Sequence, residues 1–180
     1  MEAAVAAAVP LVQIREKSLS ARVLYELTIR ATAIARGSTT RLLVNDRFDI
    51  ARVAGADGVH LTSRSLPARV VRSICGEDFL IGVSTHSLQT ALDARADGAD
   101  FVVFGPVFAT PSKQMFGEPQ GLEKLREVTN ALKGFPVLAI GGINLDNAAD
   151  CFRAGASGIA AIRLFQDTDS KWMSKLNQWY

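Results

Sequence analysis

Short apolar runs alternate along the chain with longer stretches whose apolar positions recur every three or four residues. The short runs have strand length and predict strands at about 11–15, 41–45, 58–61, 79–83, 100–104, 136–140 and 158–162. The longer stretches have helical periodicity between breakers and predict helices at about 1–9, 20–36, 47–54, 67–75, 87–97, 121–132, 144–154 and 168–178. Three boundaries repeat one device: Ala54-Gly55-Ala56-Asp57-Gly58, Asp97-Gly98-Ala99-Asp100 and Ala154-Gly155-Ala156-Ser157-Gly158. In each, a glycine suits the left-handed position just past a helix, and a small residue lets the next strand begin close by. The repetition implies successive units of one βα design, and so a parallel sheet with right-handed crossovers.

Seven strands and eight helices, starting on a helix, are the count of an α/β protein of the (β/α)8 TIM barrel type that lacks its first strand. A doubly wound open sheet is the alternative, but the chain has no Gly-x-Gly-x-x-Gly turn. A barrel short of one strand exposes two unpaired edges. An upstream segment, a rearranged terminus or an oligomer is expected to cover them. With 180 residues the chain is expected to be a single domain over 1–180 with a substantial core.

Composition narrows the partners. The chain is 48% hydrophobic and 21% charged with a net charge of +2, and its basic residues are scattered. This is the balance of a globular protein, with neither a nucleic-acid patch nor a polybasic membrane segment. No apolar run has the length needed to span a bilayer. The alanine-rich start, Met1 to Val9, carries Glu2 and no basic leader, so it reads as a helix packed on a core rather than a signal peptide. Cys75 and Cys151 lie far apart in separate helical segments, which suggests neither a disulfide nor a metal pair and fits a reducing, cytoplasmic compartment. Trp172, Trp179 and Tyr180 are expected to pack on the core, with a neighbouring subunit as the other use.

Candidate chemistry collects where strands end. The most informative run is Val137-Leu-Ala-Ile-Gly141-Gly142-Ile143, followed by the strand at Gly158-Ile-Ala-Ala-Ile162. Backbone N–H groups left bare by glycines can cradle an anion, and β/α barrels commonly bind phosphate after their last two strands. In Gln13-Ile-Arg15-Glu-Lys17 the alternation would point an amide and two cations the same way, suited to phosphate or pyrophosphate, or else to solvent. Asn45 and Asp46 fall between a strand and a helix, so Asp46 is either a helix cap or a Mg²⁺ ligand. His60 and His86 both close predicted strands, and a general acid or base near neutral pH needs this side chain. The long segment from Gly105 to Gly121 carries Thr110, Ser112 and Lys113, two hydroxyls and a cation able to close over a phosphate.

Six motifs, in order, resemble the thiamine phosphate synthase/TenI family: Val-Gln13-Ile-Arg-Glu-Lys17, Val-Asn45-Asp46-Arg47, Gly-Ala-Asp-Gly-Val-His60-Leu, Gly-Val-Ser84-Thr-His86-Ser, Gly105-Pro-Val-Phe-Ala-Thr110-Pro-Ser112-Lys113 and Ala-Ile-Gly141-Gly142-Ile. The resemblance runs from about residue 11 to 162. It implies an enzyme of thiamine biosynthesis in which a hydroxymethylpyrimidine pyrophosphate loses pyrophosphate and the pyrimidine cation is captured by the nitrogen of a thiazole phosphate. It further implies that Gln13, Arg15, Lys17, Asn45 and Lys113 hold the pyrophosphate and that Asp46 binds Mg²⁺. Ser84 and Thr110 would position substrates, and the backbone at Gly142 and at Ile162–Arg163 would hold the thiazole phosphate. His86, Lys113 and Ser84 are the expected catalytic set, with His60, Ser112 and Gly141 among the residues lining the substrates.

Three departures stand out. Where the synthase pattern after His60 reads Leu-Gly-Gln, one residue, then Asp, this chain reads Leu61-Thr62-Ser63-Arg64-Ser65, so Ser65 replaces the second Mg²⁺ ligand. Arg163 stands where a small serine is usual, and the first strand is absent. TenI relatives also lose magnesium ligands, and their thiazole tautomerisation needs an acid/base such as His86 and no metal. That reaction is one alternative. A catalytically silent barrel that binds a phosphorylated ligand is the other.

Overall fold

The computed structural model describes residues 1–109 and 118–166. They pack as two compact units: Met1–Val83 with Asp97–Ala99, and Ser84–Ala96 with the described residues from Asp100 onward.

The first unit runs α1 (Glu2–Ala6), β1 (Leu11–Ile14), α2 (Ala21–Ala35), β2 (Arg41–Asn45), α3 (Phe48–Val53), β3 (Gly58–Leu61) and α4 (Ala68–Cys75), then enters β4 (Leu80–Thr85). The strands pair in chain order and all in parallel, with Val12 beside Leu42, Val44 beside Val59, and Val59 beside Ile81. Leu42, Leu43, Val44, Val59 and Ile81 are all buried. Strands covered on both faces need such continuous apolar runs, which is why these segments are apolar throughout rather than alternating.

The second unit takes the end of β4, then α5 (Leu88–Ala96), β5 (Phe101–Phe104), α6 (Gly121–Ala131), β6 (Val137–Ile140), α7 (Ala148–Arg153), β7 (Gly158–Ala160) and the short α8 (Arg163–Gln166). Its strands are also parallel, with Phe104 beside Ala139 and Ala139 beside Ile159. Leu125 and Val128 of α6, with Leu132 just beyond it, are buried in its core.

The repeated glycine device does what its sequence implies. Gly55, Gly98 and Gly155 have φ of 73°, 84° and 91°, the left-handed region that ends a helix without a Cβ penalty. The residue just before the next strand then ties the neighbouring strand. The Asp57 carboxylate accepts from Leu42 N at 2.7 Å, and Ser157 Oγ accepts from Val137 N at 3.4 Å. Arg72 fastens Gly98 to the first unit: its guanidinium donates to the carbonyls of Gly98, Gly76 and Phe79.

All seven predicted strands form, and seven is the number among the described residues, so an eight-stranded closure is not seen in them. The N-terminal helix is shorter than expected and buries none of its own side chains. It ends where Ala8 turns to φ 50° and Val9 N bonds back to Ala4 O, so that Val9 is the residue buried. The short α8 was not anticipated. The helix expected at 168–178, with Trp172, Trp179 and Tyr180, lies outside the described residues.

Cys75 and Cys151 are both buried thiols with no disulfide, and burial pushes the Cys151 thiol up to about 11. No helix among the described residues is long and apolar enough to cross a membrane.

Candidate active site

In the first unit β1 and β2 end side by side, with Ile14 paired to Val44. Gln13 Nε2 there donates to Asn45 Oδ1 at 3.2 Å. The strand stops at Ile14, so alternation does not extend to Arg15 and Lys17, and the common direction expected for the three is a strand property only at Gln13. Arg15 and Lys17 are exposed past the strand end. Arg15 is close enough for its charge to act on His60. Burial first, and Arg15 second, push the His60 imidazole down to about 4. His60 sits inside β3, where all four residues are buried, not at a strand end corresponding to that of His86. It therefore stays neutral near pH 7 and is unsuited to acid–base work there.

Asp46 follows β2 with φ 64°, a conformation uncommon for a residue with a Cβ and tolerated best by Asp and Asn. Its N–H donates to His60 O at 2.9 Å and its C=O accepts from Phe48 N at 3.1 Å, which hold the turn. The helix-capping reading of Asp46 fails: the N-cap position of α3 is Arg47, and no side chain caps it. Asp46 instead lines a pocket of about 480 Å³ together with Arg47, Asp49, Arg64 and Ser65.

Two features of this pocket were not read from the sequence. Arg47 Nε and Nη2 grip both oxygens of Asp49, at 2.8 and 2.6 Å, and this pair holds the Asp49 carboxyl below the usual carboxylate range. The signal was the Arg-x-Asp spacing across a helix start, which resembles ordinary surface charge. Ser65 is committed to a turn, its Oγ accepting from Thr62 N at 2.8 Å. Among the described residues no three His, Cys, Asp or Glu side chains converge on a metal position. Asp49 is engaged by Arg47, and the exposed Asp46 carboxylate beside it nonetheless fits a hard cation that takes one or two protein carboxylates and completes its shell with water and substrate phosphate, as magnesium does.

In the second unit Ser84 is half-buried near the end of β4, and His86 is exposed just beyond it. His86 Nδ1 lies within hydrogen-bonding distance of Gly105 O. A carbonyl only accepts, so Nδ1 carries the proton and Nε2 is the acceptor of the neutral ring.

The double glycine is shaped by the segment after β5. Val107 N donates to Ile140 O at 2.8 Å and Phe108 N to Gly141 O at 2.9 Å. A Cβ on Gly141 would meet Pro106 Cβ at 2.5 Å, and one on Gly142 would meet Ala109 O at 2.7 Å. With φ of 101° and 65° as well, both positions are closed to side chains.

Two asparagines missed in the sequence brace this turn. Asn147 Nδ2 donates to Gly142 O at 2.9 Å, and Asn144 Oδ1 accepts from Asp146 N and Asn147 N. The signal was Gly-Gly-Ile-Asn-x-x-Asn, in which the asparagines read as a helix start and nothing more. Ile162 and Arg163 are exposed beyond β7, Arg163 opening α8. Thr110, Ser112 and Lys113 lie outside the described residues.

The sequence matches the family described as thiamine monophosphate synthase over residues 1–165. It is 43% identical over 162 residues to a thiamine-phosphate synthase of Chloroflexus aurantiacus, covering 90% of this chain and 74% of the relative. It is 47% identical over 151 residues to a thiamine-phosphate synthase of Anaeromyxobacter dehalogenans, covering 84% and 67%. Among solved structures, thiamine phosphate pyrophosphorylase from Pyrococcus furiosus superposes with a TM-score of 0.85 at 33% identity, over 99% of this chain and 88% of that one. The chain belongs to the thiamine monophosphate synthase family.

Proposed function

We propose that this protein is a thiamine-phosphate synthase, a transferase that joins a hydroxymethylpyrimidine pyrophosphate to a thiazole phosphate and releases pyrophosphate. The observation that carries the reading is identity of 43% and 47% to relatives of that name over most of the chain. The similarity to the Pyrococcus structure over 99% of the chain supports one (β/α)8-type barrel domain as its architecture. Small phosphorylated heterocycles in the cytoplasm are then its partners, and a homo-oligomer is a further expectation.

In this reading the carbon–oxygen bond to pyrophosphate breaks and the thiazole nitrogen forms the new carbon–nitrogen bond. The departing group gathers negative charge, so cations and amide donors placed around it lower the barrier. Arg15 and Lys17 supply the cations past β1. The bond from Gln13 Nε2 to Asn45 Oδ1 turns the Asn45 amide so that its Nδ2 remains the donor for a phosphate oxygen. Asp46 would hold Mg²⁺, which when bound supplies further positive charge to the pyrophosphate. Lys113 would hold the pyrophosphate as the family resemblance implies, while Thr110 would position substrates and Ser112 would bind them. Ser84 and His86, with its Nε2 acceptor, would orient the heterocycles, and His60 would line the site as a neutral ring. The backbone at Gly141, Gly142 and Ile162–Arg163 would hold the thiazole phosphate.

The test is one incubation with the pyrimidine pyrophosphate, the thiazole phosphate and Mg²⁺, following thiamine phosphate and released pyrophosphate. Magnesium-dependent formation of both in equal amounts is the expected result. Conversion of a thiazole carboxylate phosphate tautomer without metal, and no coupling, would overturn it in favour of a TenI-like enzyme. Thiazole-phosphate binding with neither reaction would identify a silent binder.

A further inference from the structure

The geometry points to Asn147 as a positioning residue that aims the Ile143 N–H at the phosphate of the thiazole substrate. This rests on the reading that the Gly141–Gly142 turn receives that phosphate. A trans peptide is planar, so its N–H points opposite to its C=O. Fixing the carbonyl of a turn residue therefore fixes the direction of the next residue's N–H. Both carbonyls of this turn are fixed, by different partners. Phe108 N holds Gly141 O at 2.9 Å and so sets the Gly142 N–H. Asn147 Nδ2 holds Gly142 O at 2.9 Å and so sets the Ile143 N–H.

Glycine is the most permissive residue, and with φ of 65° the Gly142–Ile143 peptide has no Cβ to restrain its rotation. The Asn147 side chain replaces that missing restraint. It is itself held: its Oδ1 accepts from Asn144 N at 2.9 Å, while the backbone N–H of Asn147 donates to Asn144 Oδ1 at 3.1 Å. Two successive N–H groups set in this way form a small anion-binding concavity. Asn147 touches neither substrate nor reacting atom in this account and acts only through the Gly142 carbonyl.

The experiment is a titration of the ¹⁵N-labelled protein with the thiazole phosphate, following the Gly142 and Ile143 amides, in wild type and Asn147→Ala. In wild type both amides should shift. In Asn147→Ala the Ile143 shift should fall at least about threefold while Gly142, still set by Phe108, keeps its own. The KM for the thiazole phosphate should rise about tenfold, with the KM for the pyrimidine pyrophosphate within about twofold of wild type. If Asn147→Ala does not fold, Asn147→Asp serves: it keeps the acceptor for Asn144 N, loses the donor to Gly142 O and adds a negative charge, whose general repulsion of the phosphate would weaken the Gly142 shift together with that of Ile143. An Ile143 shift that survives either variant would overturn the inference. Wild type that turns over while neither amide shifts would overturn it and leave the synthase reading standing. Absence of both turnover and shift would overturn the two together.

Discussion

In the proposed reading the two units would meet the same chemical problem, an anionic substrate, with different materials. The first unit lines its pocket with side chains: the carboxylate of Asp46, the Arg47–Asp49 pair, Arg64 and Ser65. The second shapes its turn from backbone, with Gly141 and Gly142 closed to any side chain and their carbonyls held by Phe108 N and Asn147. A side-chain site can be altered one residue at a time without disturbing the fold, and the departure at Ser65 falls there. A backbone site is altered only by moving the chain. The pocket should therefore answer substitutions chiefly in activity and metal dependence, and the turn in activity and stability together.

The largest effect that would test this contrast is at Asp46. Asp46→Asn keeps a side chain that tolerates φ 64° while removing the charge. It should lower kcat/KM by about a thousandfold, the loss expected when a metal's charge stabilisation of the leaving group is withdrawn. The melting temperature should stay within about 2 °C of wild type. A large drop in melting temperature would erase the distinction between the pocket and the turn.

Next in size is a pH effect on the fold, which belongs to the first unit. His60 is held near 4 in the folded protein, chiefly by burial, against an ordinary value of 6.5. As pH falls below 6.5 the unfolded chain takes up the proton first, so stability drops, and the drop ends near pH 4 where the folded state is protonated as well. Integrated over that window the loss is about 3 kcal/mol. Urea unfolding between pH 7 and 4 should show this slope in wild type and a slope reduced by that amount in His60→Gln. An unchanged slope would mean that His60 takes up its proton without penalty.

The same contrast explains what could be read before the structure. Apolar runs such as Leu42-Leu43-Val44 and Phe101-Val-Val-Phe104 announced buried parallel strands, because a strand covered on both faces has no polar face to alternate. The glycines after three helices announced left-handed turns, since few other residues take that conformation. Asp46 stood out as a carboxylate at a strand end, although position could not separate cap from ligand. Its φ and the uncapped start of α3 remove the cap reading, and the Mg²⁺ ligand is a proposal.

The Arg47–Asp49 grip, the role of Ser65 in its turn and the Asn144–Asn147 brace stayed hidden. Each is a hydrogen bond between residues whose types suit any surface turn, and pattern carries no information about which atoms meet. The short length of β1 was hidden as well, and with it the fact that strand alternation does not reach Arg15 and Lys17.

A substitution in the turn should cost less activity than Asp46→Asn but register in both measurements. In Gly142→Ala the new methyl would sit 2.7 Å from Ala109 O and from Phe108 Cβ, in a left-handed backbone. The chain must shift, at a cost of about 2 kcal/mol in stability. The KM for the thiazole phosphate should rise about thirtyfold as its donors move, while the Mg²⁺ requirement stays as it was. Unaltered stability with lost activity would make this turn behave like a side-chain site.

The smallest effect runs the other way, as a gain. Ser65→Asp would add a carboxylate to the pocket that Asp46 lines. The Thr62–Ser65 turn should survive, because an aspartate oxygen can accept the Thr62 N–H as Ser65 Oγ now does at 2.8 Å. The neighbouring Asp49 carboxylate is already engaged by Arg47, so the added charge is not redundant with it. Arg64 beside it would offset part of the new negative charge, which keeps the expected gain modest. The Mg²⁺ concentration at half-maximal activity should fall about tenfold, as a second carboxylate joins the first at a hard cation. The KM for the thiazole phosphate should not move, because in this account its phosphate is held by the backbone of the other unit. If Mg²⁺ dependence is unchanged, the pocket does not carry the metal and Asp46 owes its effect to another interaction. If the thiazole phosphate KM changes instead, the division of labour between side chains and backbone is wrong at its root.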